Sequence, residues 1–357
     1  MAGERSGAFA PGRVNLIGEH TDYNRGLALP FAIGEGVTVH ARAHARDSAA
    51  ADRIFANARD LEETDEFDLG KPRPARGWRA FVRGTVAELA RAGYPLRGAH
   101  LDIAGDVPLG GGLSSSAALE VALCLALIQL GADGEGESEA ELDRREIAQL
   151  CARVEHRWVG AHTGLLDQLA SLYGRLDAAS LIDFATLRIE HVPMPLGSWR
   201  LAVADSGERH THASSPYNQR RAECQRACEL LEVASLRDAE AQQLERLPEP
   251  LRARAQHVLS ENQRVLAAAE ALRTGDLLAL GALLDRSHAS LRDCYEVSTP
   301  AVERTVRGMH ELGAAGARMI GGGFGGYVLG LFAPSVPLPE GVREVRPGSG
   351  AHLLADD

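Results

Sequence analysis

Near its start the chain alternates short apolar runs with Gly, Pro and Asn, as in Phe9-Ala10-Pro11-Gly12-Arg13-Val14-Asn15-Leu16-Ile17-Gly18. That alternation predicts strands joined by tight turns, and residues 27–33 and 37–43 continue it. Between Asp47 and Gly77 charged residues, Gly and Pro take over, the composition of a loop or hairpin. Phe81, Val82, Val86 and Leu89 then recur at helical spacing over residues 78–92. Residues 99–104 read as a strand running through Pro108 into a glycine and serine loop, and an apolar helix follows to Leu130. Ser138 and Glu141 form a capping-box pattern ahead of a further helix through Ile147, Leu150, Cys151, Val154 and Trp158, with Glu155 near its end.

Strands are expected at residues 179–184, 189–192 and 199–204, with Pro193 and Pro195 breaking the run. From Tyr217 to Leu291 the pattern is almost wholly helical, punctuated by Pro248 and Pro250, and residues 302–312 form another helix before strand-like, glycine-rich pieces at 319–332. At 357 residues the chain exceeds one ordinary domain of about 150 residues. We expect two domains, 1–190 and 191–357.

Composition narrows the function. Apolar residues make up 45% and charged residues 24%, so the chain can bury proper cores. Its 38 basic and 49 acidic side chains give a formal charge of -11 without a basic block, which argues against a nucleic-acid partner. The five cysteines, an odd number without framework or zinc spacing, fit a reducing compartment. Cys224 and Cys228 share a helix face with Ala227 and Leu231, which favours core packing over metal binding. No stretch reaches about 18 apolar residues and no basic leader precedes an apolar run, so a cytoplasmic protein without a membrane partner is expected.

Chemistry concentrates in two segments. A glycine loop feeding a helix lets phosphate oxygens approach unpaired backbone N–H groups at the positive end of the helix dipole, and Gly110-Gly111-Gly112-Leu113-Ser114-Ser115-Ser116 has that form. Without a lysine it is not a Walker loop, and its spacing is not that of a dinucleotide fold. An ordinary turn with a serine N-cap stays open on these residues alone. The second segment, Arg13 to Tyr23 with Glu19, His20, Thr21 and Asp22, packs hydrogen-bonding groups at a density suited to a polyol.

Pro11-Gly12-Arg13-Val14-Asn15-Leu16-Ile17-Gly18-Glu19-His20-Thr21-Asp22-Tyr23 resembles the galactokinase signature. Residues 108–118 resemble the second motif of the GHMP kinase superfamily, and Gly321-Gly322-Gly323-Phe324-Gly325-Gly326 its third. Gly164-Leu165-Leu166-Asp167-Gln168 and residues 210–221 with Ser214-Ser215-Pro216-Tyr217 resemble further galactokinase segments. The resemblance implies a two-domain α+β fold: a ribosomal-protein-like N-terminal domain, a helix-rich ferredoxin-like C-terminal domain, and an active site between them.

It also implies roles. Glu19, His20, Thr21, Asp22, Gly164 and Tyr217 would bind the sugar. Asp167 would be the general base, and Arg13 would orient it and stabilise charge as phosphoryl moves. Gly110, Gly111, Gly112, Leu113, Ser114, Ser115 and Ser116 would bind the phosphates of ATP with Trp78 beside the adenine, and Ser116 and Glu155 would hold magnesium (Mg2+). Galactose and ATP are the implied partners of a protein acting as a monomer. The third glycine motif is expected to pack near the phosphate loop. A kinase for a related sugar or other alcohol, or an inactive sugar- and ATP-binding regulator, are the alternatives; Ser116-Ala117, Asp167 and Arg13 favour an enzyme over the latter.

Overall fold

Strand β1 (Arg5–Asn15) is buried along nearly its whole length because it lies inside a six-stranded sheet. The structure, a computed structural model, describes residues 4–108, 112–132, 142–208 and 216–355. β1 pairs antiparallel with β3 (Pro30–Ala43), and β3 with β6 (Ala99–Gly105). β6 runs parallel to β4 (Arg53–Ala58), whose hairpin partner β5 (Glu63–Asp68) forms one edge. The sequence pattern predicts a break between residues 33 and 37, yet β3 passes straight through it. Pairing with β1 instead shifts register between Pro11 and Arg13, an irregularity that absorbs Gly34 and Gly36 inside one bent strand.

Helix α2 (Ser115–Gly131) lies across β1 and β3, enclosed by α1 (Trp78–Arg91), α3 (Arg144–Val154) and α4 (Leu166–Leu172). Contact on every side explains why α2 is apolar all round. The N-cap of α3 is Asp143, whose carboxylate accepts from Arg145 N at 2.9 Å; the Ser138 and Glu141 pattern lies outside the described residues. At Glu155 the helix widens into a π turn, Glu155–Val159, which Gly160 ends at a φ of 81°.

A three-stranded sheet joins β2 (Leu27–Ala28), β7 (Ala178–Asp183) and β8 (Arg188–Pro193). Residue 190 falls inside β8, and the connection at 194–199 leads to the second large sheet. There β9 (Arg200–Asp205) lies between β11 (Tyr327–Phe332) and β12 (Val342–Val345), with β10 (Ala314–Met319) beyond β11, all antiparallel. Helices α5 (Pro216–Leu231), α6 (Leu251–Thr274), α7 (Leu277–Asp293) and α8 (Pro300–Glu311) pack with it. Cys224, Ala227, Cys228 and Leu231 are all buried in this core, as their helical spacing predicts. A final strand, β13 (His352–Leu353), returns to pair with β1.

One hydrophobic cluster belongs to both bodies. It joins Val14, Leu16, Ile17 and Phe31 to Leu201, Val203, Val265, Leu280 and Leu329. Leu16 and Ile17 have no exposed surface, and burying each is worth about 1.5–3 kcal/mol. The polar segment that follows them is therefore anchored at the seam. Among the described residues no helix is long and apolar enough to cross a membrane, and all five cysteines are unpaired.

Candidate active site

Arg13 sits near the end of β1, where its backbone N–H donates to Leu113 O at 3.1 Å and its side chain is 5% exposed. It pairs with Asp167, in the first turn of α4 and 154 positions away, rather than with the nearby Glu19 or Asp22. Nε and Nη2 both donate to Asp167 Oδ1, at 2.9 and 2.5 Å, while Nη1 donates to Gly112 O at 2.5 Å. Ser114 Oγ donates to the other carboxylate oxygen, Oδ2, at 2.5 Å. One guanidinium thus touches both the carboxylate and the glycine loop. Gly110 and Gly111 lie outside the described residues; Gly112, Leu113, Ser114, Ser115 and Ser116 lead into the N-terminus of α2.

The polar segment after Ile17 folds into a tight turn. Gly18 adopts a φ of 101°, and a short 3-10 turn follows at Asp22–Asn24. Thr21 is fully buried, with its hydroxyl directed to Gly18 O at 2.9 Å and Leu27 O at 2.7 Å. The hydroxyl of Thr21 thereby closes the turn that carries Glu19, His20 and Asp22. Asn24 Nδ2 donates to His20 O at 2.8 Å and fixes the same turn.

His20 is 4% exposed and lies among Tyr23, Tyr217 and Tyr295, with ring centroids 5.9, 5.2 and 4.7 Å away. Burial, with His257 nearby, pushes its pKa down to about 3, so the ring is neutral at ordinary pH. Its Nε2 lies 3.2 Å from Gly322 O, an oxygen that can only accept, which puts the proton on Nε2. Nδ1 therefore accepts from the Tyr23 hydroxyl at 2.7 Å, and Tyr23 in turn accepts from the Tyr295 hydroxyl at 3.0 Å. A single carbonyl orients the whole chain of donors.

Glu19 is held from three directions. Asn15 Nδ2 donates to Oε2 at 2.8 Å, Gly321 N donates to Oε1 at 2.7 Å, and Arg318 Nη1 stands 3.6 Å from Oε1. Burial raises its pKa, and Arg318 and Arg13 oppose that rise. The third glycine motif consequently does more than pack near the phosphate loop. Gly321 approaches Gly112 so closely that a Cβ on Gly321 would lie 3.4 Å from Gly112 Cα, while Gly321 N and Gly322 O hold Glu19 and His20. A Cβ on Gly322 would stand 3.0 Å from Tyr217 Cδ2.

Asp22 faces Gly164, where any Cβ would collide with the Asp22 carboxylate. Only glycine admits this approach. Burial, reinforced by Asp167 and Glu19, pushes the Asp22 pKa up to about 6, and Arg221 works against it. Tyr217, in the first turn of α5, packs against His20 and Tyr23, and its phenol pKa is raised by burial and by Asp22. Asp22, Gly164, Asp167, His20 and Tyr217 thus converge at the seam, whereas Ser214 and Ser215 lie outside the described residues.

Glu155, at the start of the π turn, is buried, and burial together with Asp167 and Asp22 pushes its pKa up to about 7. Thr163 Oγ1 and Gln168 Nε2 both donate to its Oε2. Glu120, one turn after Ser116 on α2, is fully buried, and burial and Glu155 raise its pKa well above the usual range, with Gln168 opposing the rise. Among the described residues no group of three or more His, Cys, Asp or Glu side chains is placed to hold a metal ion by itself, so a cation here would need oxygen atoms from hydroxyls or from a bound phosphate beside Glu155. Trp78 stands at the start of α1, its indole N–H donating to Glu63 Oε2 at 2.7 Å and Arg79 over its ring at 5.0 Å. These contacts do not join it to the cluster around Arg13.

Sequence reasoning did not find Arg318, Glu120 or Tyr295, and gave Gln168 no role of its own. Arg318 stands just before the third glycine motif and Glu120 just after the second, so charged residues inside apolar runs were the available signal.

Comparison with known proteins identifies the family. Residues 2–43 match the galactokinase galactose-binding signature, 80–175 the GHMP kinases N terminal domain, and 268–346 the GHMP kinases C terminal domain. A galactokinase of Roseiflexus sp. (strain RS-1) is 44% identical, over 90% of this chain and 82% of its own. One from Thermotoga maritima is 39% identical, over 90% of this chain and 88% of its own. The crystal structure of Lactococcus lactis galactokinase complexed with galactose superposes with a TM-score of 0.85 at 32% identity, covering 98% of this chain and 95% of that one. A mevalonate kinase structure, at 18% identity and a TM-score of 0.62, shares the fold. On these grounds the chain belongs to the galactokinase family of the GHMP kinases.

Proposed function

We propose that the chain transfers the γ-phosphoryl group of ATP to the 1-hydroxyl of galactose, giving galactose 1-phosphate and ADP, the entry step of galactose catabolism. The observation that carries this reading is Arg13 bonded at once to Asp167 Oδ1 and Gly112 O. It sets a carboxylate and a phosphate-binding loop against one cation, as in-line transfer to a hydroxyl requires.

In this reading Asp167, 30% exposed, accepts the proton of the sugar 1-hydroxyl. Arg13 orients that carboxylate and stabilises the charge that develops at the phosphoryl group. Asp22, Tyr217 and the Gly164 backbone line the sugar, with Glu19 beneath them and His20 exchanging its long Nε2–H bond to Gly322 for a sugar hydroxyl. The backbone of residues 110–116 receives the ATP phosphates, and Trp78 borders the adenine. Ser116 and Glu155 would hold magnesium, which when bound neutralises charge on the phosphates. Free cysteines throughout support a cytoplasmic setting.

The test is ADP release measured against a panel of sugars, for the parent and for Asp167→Asn. Galactose should drive release by the parent, and the variant should keep ATP binding but lose at least about 100-fold in turnover. Near-normal turnover in the variant would sink the base assignment. Turnover of another sugar in place of galactose would overturn the substrate, and binding of both ligands without turnover would leave a regulator.

A further inference from the structure

Ser114 occupies the N-cap position of α2, but it does not behave as a cap. N-cap residues normally hold an extended backbone and turn a side-chain oxygen to the free N–H groups of the first helical turn. Ser114 has φ 60° and ψ 43°, in the left-handed region, and makes no side-chain cap bond. A residue with a Cβ is strained there, whereas glycine is not. Helix stability therefore gives no reason for a serine at this position.

The reason lies at the other end of its hydroxyl. Ser114 Oγ donates to Asp167 Oδ2 at 2.5 Å, and the serine is 9% exposed. Both of the bonds from Arg13 to Asp167 end on Oδ1. This is not the fork in which two parallel N–H groups each hold one carboxylate oxygen and so fix its plane. Two donors meeting on one oxygen leave the carboxylate able to swing about that point. The bond from Ser114 to the second oxygen removes that freedom.

We propose that Ser114 is a positioning residue for Asp167, and that its hydroxyl fixes the carboxylate plane from which the sugar proton is taken. The inference rests on Asp167 acting as the base, and it gives Ser114 a part distinct from the backbone binding of phosphate. Because the residue acts through orientation, its loss falls on kcat and leaves the KM values for galactose and ATP nearly unchanged.

Three variants test it. Ser114→Gly removes the hydroxyl and relieves the strain, so it should melt no lower than the parent while kcat falls about tenfold to a hundredfold. Ser114→Ala should lose as much kcat. Ser114→Asn, which tolerates the left-handed backbone and carries an N–H donor, should recover part of the rate. Parental kcat in Ser114→Gly, a defect confined to the KM for ATP, or no recovery in Ser114→Asn would each overturn the proposal. Asp167→Asn, measured alongside, separates the two readings. If it is inactive while Ser114→Gly has parental kcat, only the positioning role fails; if it retains near-normal turnover, the base assignment fails first.

Discussion

Arg318, without any exposed surface, lies 3.6 Å from Glu19 Oε1 and donates to the carbonyl oxygens of Asn15 and Leu16 at 3.0 Å each. One side chain of the second sheet thus neutralises and braces the sugar segment of the first. Removing one partner of a buried ion pair strands the other, at a cost of roughly 3–5 kcal/mol. Arg318→Met should lower the unfolding free energy by about that much and raise the galactose KM. Arg318→Lys should rescue part of the loss, since all three contacts come from the single nitrogen Nη1 and an ammonium also carries three N–H donors on one nitrogen. Denaturant unfolding with sugar titration reads both effects, and an unchanged midpoint in the Met variant would deny the pair a structural role.

Asp22 gives a pH dependence of known sign. Its folded pKa is raised from 3.8 to about 6, chiefly by burial, so the folded protein holds this proton more tightly than the unfolded chain does. The corresponding stability is complete below the unfolded pKa of 3.8 and is lost as pH rises through about 6. Asp22→Asn removes the penalty of an enclosed charge. At pH 8 it should be more stable than the parent by about 1–3 kcal/mol, with weaker galactose binding. Equal stability of the two proteins from pH 4 to 8 would show that the site does not tax this carboxylate.

Gly164→Ala should separate the two substrates. Its methyl group collides with the Asp22 carboxylate, so Asp22 must move. The galactose KM should rise by about tenfold or more, equivalent to about 1.4 kcal/mol, with ATP binding retained. An equal loss for both ligands, read by calorimetric titration, would place the disturbance beyond the sugar.

Ser116→Ala and Glu155→Gln should both raise the magnesium concentration needed for half-maximal activity, the glutamine more strongly. Neither should unfold the protein, and the parent should lose activity with a chelator and regain it on adding magnesium. A magnesium requirement unchanged in both variants would remove these residues from the metal site.

The residues legible in advance were those whose neighbours in sequence are also neighbours in space. Arg13 to Tyr23 reads as a polar segment after an apolar strand, and the structure folds its later part, from Gly18, into a turn while Arg13 to Asn15 still belong to the strand. What lay hidden depended on distant pairings. Ser114 looks like a helix cap until Asp167 is seen beside it, and nothing local to Gly321 shows that its N–H reaches a carboxylate 302 positions away. The part Thr21 plays in closing the turn was hidden for a related reason, since the two carbonyl groups it meets are brought to it only by the fold. The continuity of β3 was equally illegible, because two glycines look like a turn until a partner strand bends around them.

The return of β13 to β1 changes how the two bodies relate. Ala8 faces Leu353 and Phe9 faces His352, so the chain leaves the first body after β8, builds the second, and comes back. In topological terms the second body is an insertion within the first. Thermal fraying of β13 would accordingly be felt on the very strand that carries Arg13, so that β13 acts as a clasp on β1.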